Sequence, residues 1–204
     1  MASEIRIYLE GGRTSIQRTT LKRGFRKFLK ELDGRAYDAS IVIRAIPCGD
    51  REKTFRNFRR ALKSDSDAFN ILLVDAEGPV KSSSCKQHLR NRDGWEIPGI
   101  NEDQCHLMVQ MFEAWLIADP EALKSYYGKG FNEKSIPGNP NVEEIGKSEI
   151  EKCLMQATSK TKKGKYHKIN HAAELLGLVD PSKVKAAAPH CRRLFQTLED
   201  KIAD

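Results

Sequence analysis

Glu10, Asp75 and Glu77 are the residues in this chain whose placement could do chemistry. Glu10 closes the alternating run Glu4-Ile5-Arg6-Ile7-Tyr8-Leu9, and Asp75 and Glu77 follow Phe69-Asn70-Ile71-Leu72-Leu73-Val74. The carboxyl ends of parallel strands share one edge of a sheet, and ligands bind there. Strand residues two apart point the same way. With the extended backbone continuing through Glu77, Asp75 and Glu77 aim together at Glu10. Three converging carboxylates repel one another until a cation neutralises them, and hard oxygen ligands suit Mg²⁺ or Mn²⁺. Such an ion activates water and stabilises the leaving oxygen of a phosphodiester. Acids after strands are also common helix caps and solvent-facing turn residues. The shared sheet edge with Glu10 is what gives this pair weight.

Several residues could support that chemistry. Glu113 follows a fourth predicted strand near the same edge. A surface carboxylate at a helix start is the plainer reading, but its neighbours Phe112, Trp115 and Leu116 favour burial, and a buried acid needs a partner. Lys160, Lys162, Lys163, Lys165 and Lys168 surround Gly164 and Tyr166. They form either a phosphate-contacting loop, in which Tyr166 stacks on a base, or a solvated basic turn. Arg90 and Arg92, with His88, are further candidates for nucleic-acid contact. His167 and His171 stand at metal-pair spacing but lack a third ligand, so they read as surface or structural residues. His106 points into or along the sheet, and Trp95 and Trp115 read as packing residues. Gly11-Gly12 permits a tight turn or close approach of a phosphate. No Gly-Lys-Ser/Thr follows it, so it is not a nucleotide-binding P-loop.

The elements that must position these residues are legible in outline. Residues 4–10, 39–47, 69–74 and 105–111 read as strands, with 39–47 a buried one. Leu21, Phe25, Phe28, Leu29 and Leu32 fall at helical spacing up to Gly34, and residues 51–62 form a second basic amphipathic helix. Strand alternating with helix argues for a parallel sheet, an α/β fold. Residues 80–101 read as a polar loop or short helix. A helix follows through Phe112–Leu116, and another starts at Asp119-Pro120-Glu121 and closes at Gly128, before a loop over 130–140. The remainder is basic and helical. Ser148-Glu149-Ile150-Glu151 reads as a capping box, Asn170 as the cap of 171–176, and Asp180-Pro181 as the start of a last helix through Leu198. The expected layout is a metal-binding domain over 1–127 and a helical C-terminal extension over 128–204, packed on the same domain.

Composition narrows the classes. The 204 residues are 39% hydrophobic and carry a formal net charge of +7, with basic residues bunched in 13–35, 51–63, 81–92 and 160–168. That balance favours a polyanionic partner such as nucleic acid. No apolar run approaches the roughly 20 residues of a membrane span. The five cysteines are scattered without a Cys-x-x-Cys pair, which argues against zinc or disulfides and, with no secretory leader pattern, for the cytoplasm.

Tyr8-Leu9-Glu10-Gly11-Gly12 and Leu72-Leu73-Val74-Asp75-Ala76-Glu77-Gly78-Pro79-Val80 resemble the Toprim pattern, a Glu-Gly after the first strand and an acid-x-acid pair after a later one. His88–Trp95, Gln104–Trp115, Ala118–Leu123 and Thr158–Lys168 resemble the bacterial family named domain of unknown function 4276, which is placed among Toprim-like proteins. The resemblance covers nearly the whole chain. It implies a Toprim-like, Rossmann-like fold, a divalent cation and phosphodiester chemistry. A nuclease is the implied role, because the chain has no evident tyrosine-transesterification domain and is short for a primase. In nuclease relatives a Glu near position 113 joins the metal shell. The chain departs from several nuclease relatives at Thr14, where they carry another acid, and at Glu77, where Asp is usual. Analogy also implies a phage-defence role and an ATPase partner of the AAA or ABC type. The rival expectations are a non-catalytic subunit that binds an ATPase or nucleic acid, and a nucleotidyl transferase or small-molecule phosphohydrolase using the same metal chemistry.

Overall fold

The computed structural model describes residues 3–64, 67–82, 84–96 and 98–204. Met1 and Ala2 of the leader reading, and Ser83 and Ile97 of the 80–101 stretch, lie outside the described residues, as do Asp65 and Ser66. Four strands, β1 (Glu4–Leu9), β2 (Val42–Pro47), β3 (Ala68–Asp75) and β4 (Cys105–Met108), form one sheet in the order β2-β1-β3-β4. Every neighbouring pair is parallel. Helices α1 (Ser15–Phe28) and α2 (Lys30–Asp38) join β1 to β2, and α3 (Arg51–Ser64) joins β2 to β3. Helix α4 (Cys85–Asp93) lies between β3 and β4. After β4 come α5 (Glu113–Ile117), α6 (Pro120–Tyr127), α7 (Lys147–Thr158), α8 (Lys168–Leu176), α9 (Pro181–Ala187) and α10 (Pro189–Ala203). The architecture is a parallel sheet flanked by helices, with a helical C-terminal extension. Among the described residues, no helix is long and apolar enough to cross a membrane.

Strand alternation splits the core into two layers. Ile5, Ile7, Leu9, Ile71 and Leu73 face Phe25, Phe28 and Leu32 of α1 and α2, together with Trp115, Leu154, Leu175 and Phe195 from the C-terminal helices. Tyr8, Leu72 and Val74 face Phe55 and Phe58 of α3, Leu89 of α4 and Trp95. Each such large side chain, fully buried, contributes roughly 1.5–3 kcal/mol. The extension thus shares a core with the sheet: α8 packs on α1, and α10 on β4 and α2.

The strand order also fixes the site. From β1 the chain steps outward to β2, then returns past β1 to β3, so the direction of winding reverses between β1 and β3. A crevice opens at such a switch point beyond the carboxyl ends. Glu10 and Asp75 stand at those two ends.

Several sequence expectations need correction. The first helix starts at Ser15, capped by Thr14, whose Oγ1 accepts from the Gln17 N–H at 3.3 Å while Gln17 Oε1 accepts from the Thr14 N–H at 3.2 Å. Gly34 does not end a helix. The break falls at Leu29, and α2 runs through Gly34 to Asp38. Strand β2 is not buried on both faces: it is an edge strand, and Val42 is 47% exposed. Strand β4 is shorter than 105–111 and stops at Met108, and Gln110 takes a left-handed φ of 63°. The residues Ser148–Glu151 do not cap α7, which starts at Lys147 with Gly146 before it. Asn170 lies inside the first turn of α8, and His167 holds the cap position. The last helix is two helices, because Pro189 disfavours helical backbone at Ala188, where φ is −129° and ψ is 96°.

Candidate metal and phosphate site

Asp75 is the last residue of β3, and it faces the same layer as Ile71 and Leu73. It is 6% exposed. Its Oδ1 accepts from the Phe112 N–H at 2.8 Å, and its Oδ2 lies 3.5 Å from the Lys168 ammonium. Burial raises its pKa from 3.8 to about 7 against the opposing pull of Lys168, and the charges of Glu10, Glu113 and Glu77 add to the rise. Glu113, at the start of α5, is 1% exposed. Lys168 Nζ donates to its Oε2 at 3.2 Å and the Tyr166 hydroxyl donates to its Oε1 at 2.9 Å. Two buried carboxylates therefore share one ammonium. Their attraction outweighs the burial of Lys168 and holds it firmly protonated. Burial, with the Glu113 charge beside it, keeps the Tyr166 hydroxyl protonated as well.

Glu10 follows β1 on the opposite layer, the side of α3. Burial raises its pKa, Arg51 opposes the rise and Glu77 adds to it. The Arg51 guanidinium donates to Glu10 Oε1 and to the Asp75 carbonyl, both at 2.6 Å. It also grips both oxygens of Asp93 at 2.9 and 2.7 Å and lies 5.0 Å from the centre of the Trp95 ring. Trp95 in turn stacks on Phe55 at 4.0 Å. Arg51 is thus fixed on all sides, and a bidentate guanidinium pair of this kind is among the stronger polar contacts in proteins. The preceding turn is held by a bridge between Gly11 and Gly49, each donating to the other's carbonyl at 2.7 and 2.8 Å. Both glycines have φ near 100°, a backbone that side-chain-bearing residues rarely adopt.

Glu77 departs from expectation. The extended backbone ends at Asp75, and Glu77 has a left-handed φ of 60°. The turn sends its carboxylate to the Lys147 ammonium at the start of α7. Burial would raise its pKa, but the hydrogen bond and charge of Lys147 outweigh that and lower it. The acids are close enough to feel one another's charge, yet each is matched to a cation. Accordingly, among the described residues no group of three or more His, Cys, Asp or Glu side chains forms a cluster that could hold a metal ion.

The donor set still fits a divalent cation in chemical type. Glu10 and Asp75 line one cavity, and the Lys168 ammonium already stands as a cation between Asp75 and Glu113. The Lys168 and Lys147 side chains are 55% and 38% exposed, whereas Arg51 is 15% exposed. An incoming ion would compete with the two lysines more readily than with Arg51.

A cavity of about 590 Å³ opens on these groups, lined by Glu10, Gly11, Gly12, Arg13, Arg51, Asp75 and Lys168 among others. Lys81, His88 and Arg92 line a separate recess of about 400 Å³. His88 does not stand free for phosphate, since its Nε2 pairs with the Ala76 carbonyl at 3.0 Å and braces the turn between Asp75 and Glu77. Arg92 pairs with Asp93 and acts electrostatically on Glu77, and Arg90 pairs with Glu96 at 3.1 Å. Lys160, Lys162 and Lys165 are exposed, and the Lys163 ammonium lies 4.4 Å from the centre of the Tyr126 ring. Of the five lysines, Lys168 alone reaches the acids. Tyr166 is half-buried and tied to Glu113, which leaves its ring unsuited to stacking on a base. His171 Nδ1 accepts from the His167 N–H at 3.2 Å and the Tyr127 hydroxyl at 2.9 Å, a structural role. His106 is buried against the Asp103 carbonyl at 3.0 Å.

Sequence reasoning missed Arg51, Lys147 and the Tyr166 hydroxyl. Arg51 had a usable signal: it follows the second strand by four residues and so stands on the same sheet edge as the acids. Lys147 had none, because seventy residues separate it from Glu77 and only packing of α7 joins them.

One family model matches the chain, over residues 10–199, and its description is domain of unknown function. No curated protein and no solved structure matches.

Proposed function

We propose, from the premise that this chain belongs to the family of domain of unknown function 4276, that it is a divalent-metal-dependent nuclease of Toprim type. The observation that carries this reading is Asp75: a carboxylate 6% exposed, at the switch point of a parallel sheet, within the charge field of three other acids. Acids are gathered at such a cost where a cation belongs. The resemblance of the Glu10-Gly11-Gly12 and Asp75-Ala76-Glu77 segments to the Toprim motifs supports the same reading.

Glu10, Asp75 and Glu77 would hold Mg²⁺ or Mn²⁺, with Glu113 assisting. Bound there, the ion would supply positive charge at the scissile phosphate and polarise a water. The chain's own residues do the rest. Arg51, locked by Asp93 and Trp95, holds Glu10 in place beside the crevice. Lys168, paired with Asp75 and Glu113, would move onto a phosphate oxygen and stabilise developing charge. Glu113, steadied by Tyr166, keeps that ammonium near the reaction. Arg92, Arg90 and the exposed Lys160, Lys162, Lys163 and Lys165 would track the nucleic-acid backbone. The ATPase partner and the phage-defence role belong to the same proposal by analogy.

The test is divalent-dependent cleavage of DNA and RNA by the wild type, Glu10→Gln and Asp75→Asn. Both variants should lose activity while remaining folded. Undiminished cleavage by both would overturn the site.

A second reading has its own observation. Arg51, Lys147 and Lys168 already neutralise the acids internally. That favours a non-catalytic subunit that binds nucleic acid or an ATPase. Calorimetric titration with Mg²⁺ and Mn²⁺ separates the two, since this reading requires no binding at millimolar ion.

A further inference from the structure

Charged and apolar groups both line the cavity, and Glu10 with Arg51 and Asp75 with Lys168 make its charged part. The rest of the lining includes Leu21 and Phe25 of α1, Met108 at the end of β4, Phe112, and Ala172 and Ala173 of α8. Phe112 joins the two ends, because its N–H donates to Asp75 while its side chain lines the apolar part. Helices α1 and α8 approach closely at the Ala173 part of the lining. Gly24 lies against the Ala173 carbonyl, and a Cβ at that position would come within 2.3 Å of it. Short side chains at 172 and 173 then leave the gap unfilled. Gln17 and His167 add hydrogen-bonding groups to the lining.

A backbone phosphate alone does not need such a wall. Its oxygens would be met by Lys168 and Arg13 at the charged end. The volume of about 590 Å³ falls in the range of about 300–1,000 Å³ typical of pockets that enclose a whole small molecule. A ligand that is anionic at one end, flat and weakly polar at the other, and edged with hydrogen-bonding atoms is a nucleotide. A base paired and stacked inside a duplex cannot reach into such a cleft, so the base that does so must be unstacked.

We infer that the apolar half of the cleft is a base pocket, and that the site takes one unstacked nucleotide with its phosphate at the Glu10–Asp75 end. This names the substrate class of the nuclease proposed above and rests on that reading for the chemistry, though not for the binding. The nucleotide is either free or the unpaired end of a strand.

The experiment measures binding of AMP and of ribose phosphate, which lacks the base, to the full chain by calorimetry. Wild type should bind AMP roughly tenfold more tightly, the scale of one base burying its face. Ala173→Leu fills the pocket and Leu21→Asn makes its wall polar. Each should bring AMP down to the ribose phosphate level and leave ribose phosphate binding unchanged, with thermal unfolding confirming the fold. Displacement of AMP by a short single strand ending in a base, but not by one ending in an abasic residue, identifies the strand end as the source. AMP binding that resists both strands identifies the free nucleotide. Equal binding of AMP and ribose phosphate, binding of neither, or AMP binding unaffected by both variants would overturn the pocket. Loss of metal-dependent cleavage with the base preference intact would remove the nuclease and leave the pocket standing. Cleavage with no base preference would do the reverse.

Discussion

The Lys168 ammonium stands 3.2 Å from a Glu113 carboxylate that is itself 1% exposed. The same nitrogen is 3.5 Å from Asp75, so one flexible side chain balances two buried acids. Lys168→Met should leave both uncompensated. Breaking a buried pair costs about 3–5 kcal/mol, and the exposed stem of Lys168 argues for the lower part of a discounted range, about 1–3 kcal/mol. A divalent cation that takes the vacated position should restore the loss. The variant should therefore gain more in Tm from added Mg²⁺ or Mn²⁺ than the wild type does, measured by thermal unfolding. Equal shifts in the two proteins would count against a cation site at these acids.

Asp75 gives a pH dependence with a definite sign. Its pKa rises from 3.8 to about 7 on folding, chiefly through burial. The folded chain thus holds a proton that the unfolded chain releases, and the associated stability is full below pH 3.8 and lost as pH climbs towards 7. Asp75→Asn cannot ionise, and its Oδ1 can still accept from Phe112. Its stability relative to wild type should grow between pH 4 and pH 8 by a few kcal/mol, as read by urea unfolding. A constant difference across that range would show that Asp75 does not titrate there. Divalent binding must displace the same proton, so apparent metal affinity in the wild type should rise with pH and level off above about 7.

Gly24→Ala should act against its helix propensity. In the middle of α1, alanine would ordinarily stabilise by about 0.5–1 kcal/mol over glycine. Here the new methyl would meet the Ala173 backbone oxygen, which cannot rotate away. The helices must separate, at a cost of about 1–3 kcal/mol. Urea unfolding should show net destabilisation, whereas Gly34→Ala in α2, with open space around it, should be neutral or stabilising. Stabilisation by Gly24→Ala would mean that α1 and α8 do not pack as described.

The sheet was readable because burial leaves a period. Alternation in Glu4–Leu9 and the apolar run before Asp75 report which faces are covered, and their order with the intervening helices leaves a parallel sheet as the consistent arrangement. The placement of Glu10 and Asp75 at its carboxyl edge followed from that. Local competition was less legible. Glu77 was expected to continue the strand alternation, but a left-handed turn at Glu77 ends it, and neither Gly78 nor Pro79 signalled where. The caps misread at Ser148 and Asn170 show the same limit, since several polar residues near a helix start can serve, and packing selects one.

By itself, the sequence determined the acids, the sheet edge they share and the basic surroundings, because these depend on residue type and on neighbours one or two positions away. Only the tertiary structure decided the pairing of charges. Arg51 with Glu10, Lys147 with Glu77 and Lys168 with Asp75 and Glu113 join residues 41 to 93 positions apart. Such contacts have no periodicity to read. They exist because buried carboxylates must find a counter-charge, and the docking of α3 on the sheet, of α7 on α5 and of α8 on α1 determines which cation is within reach.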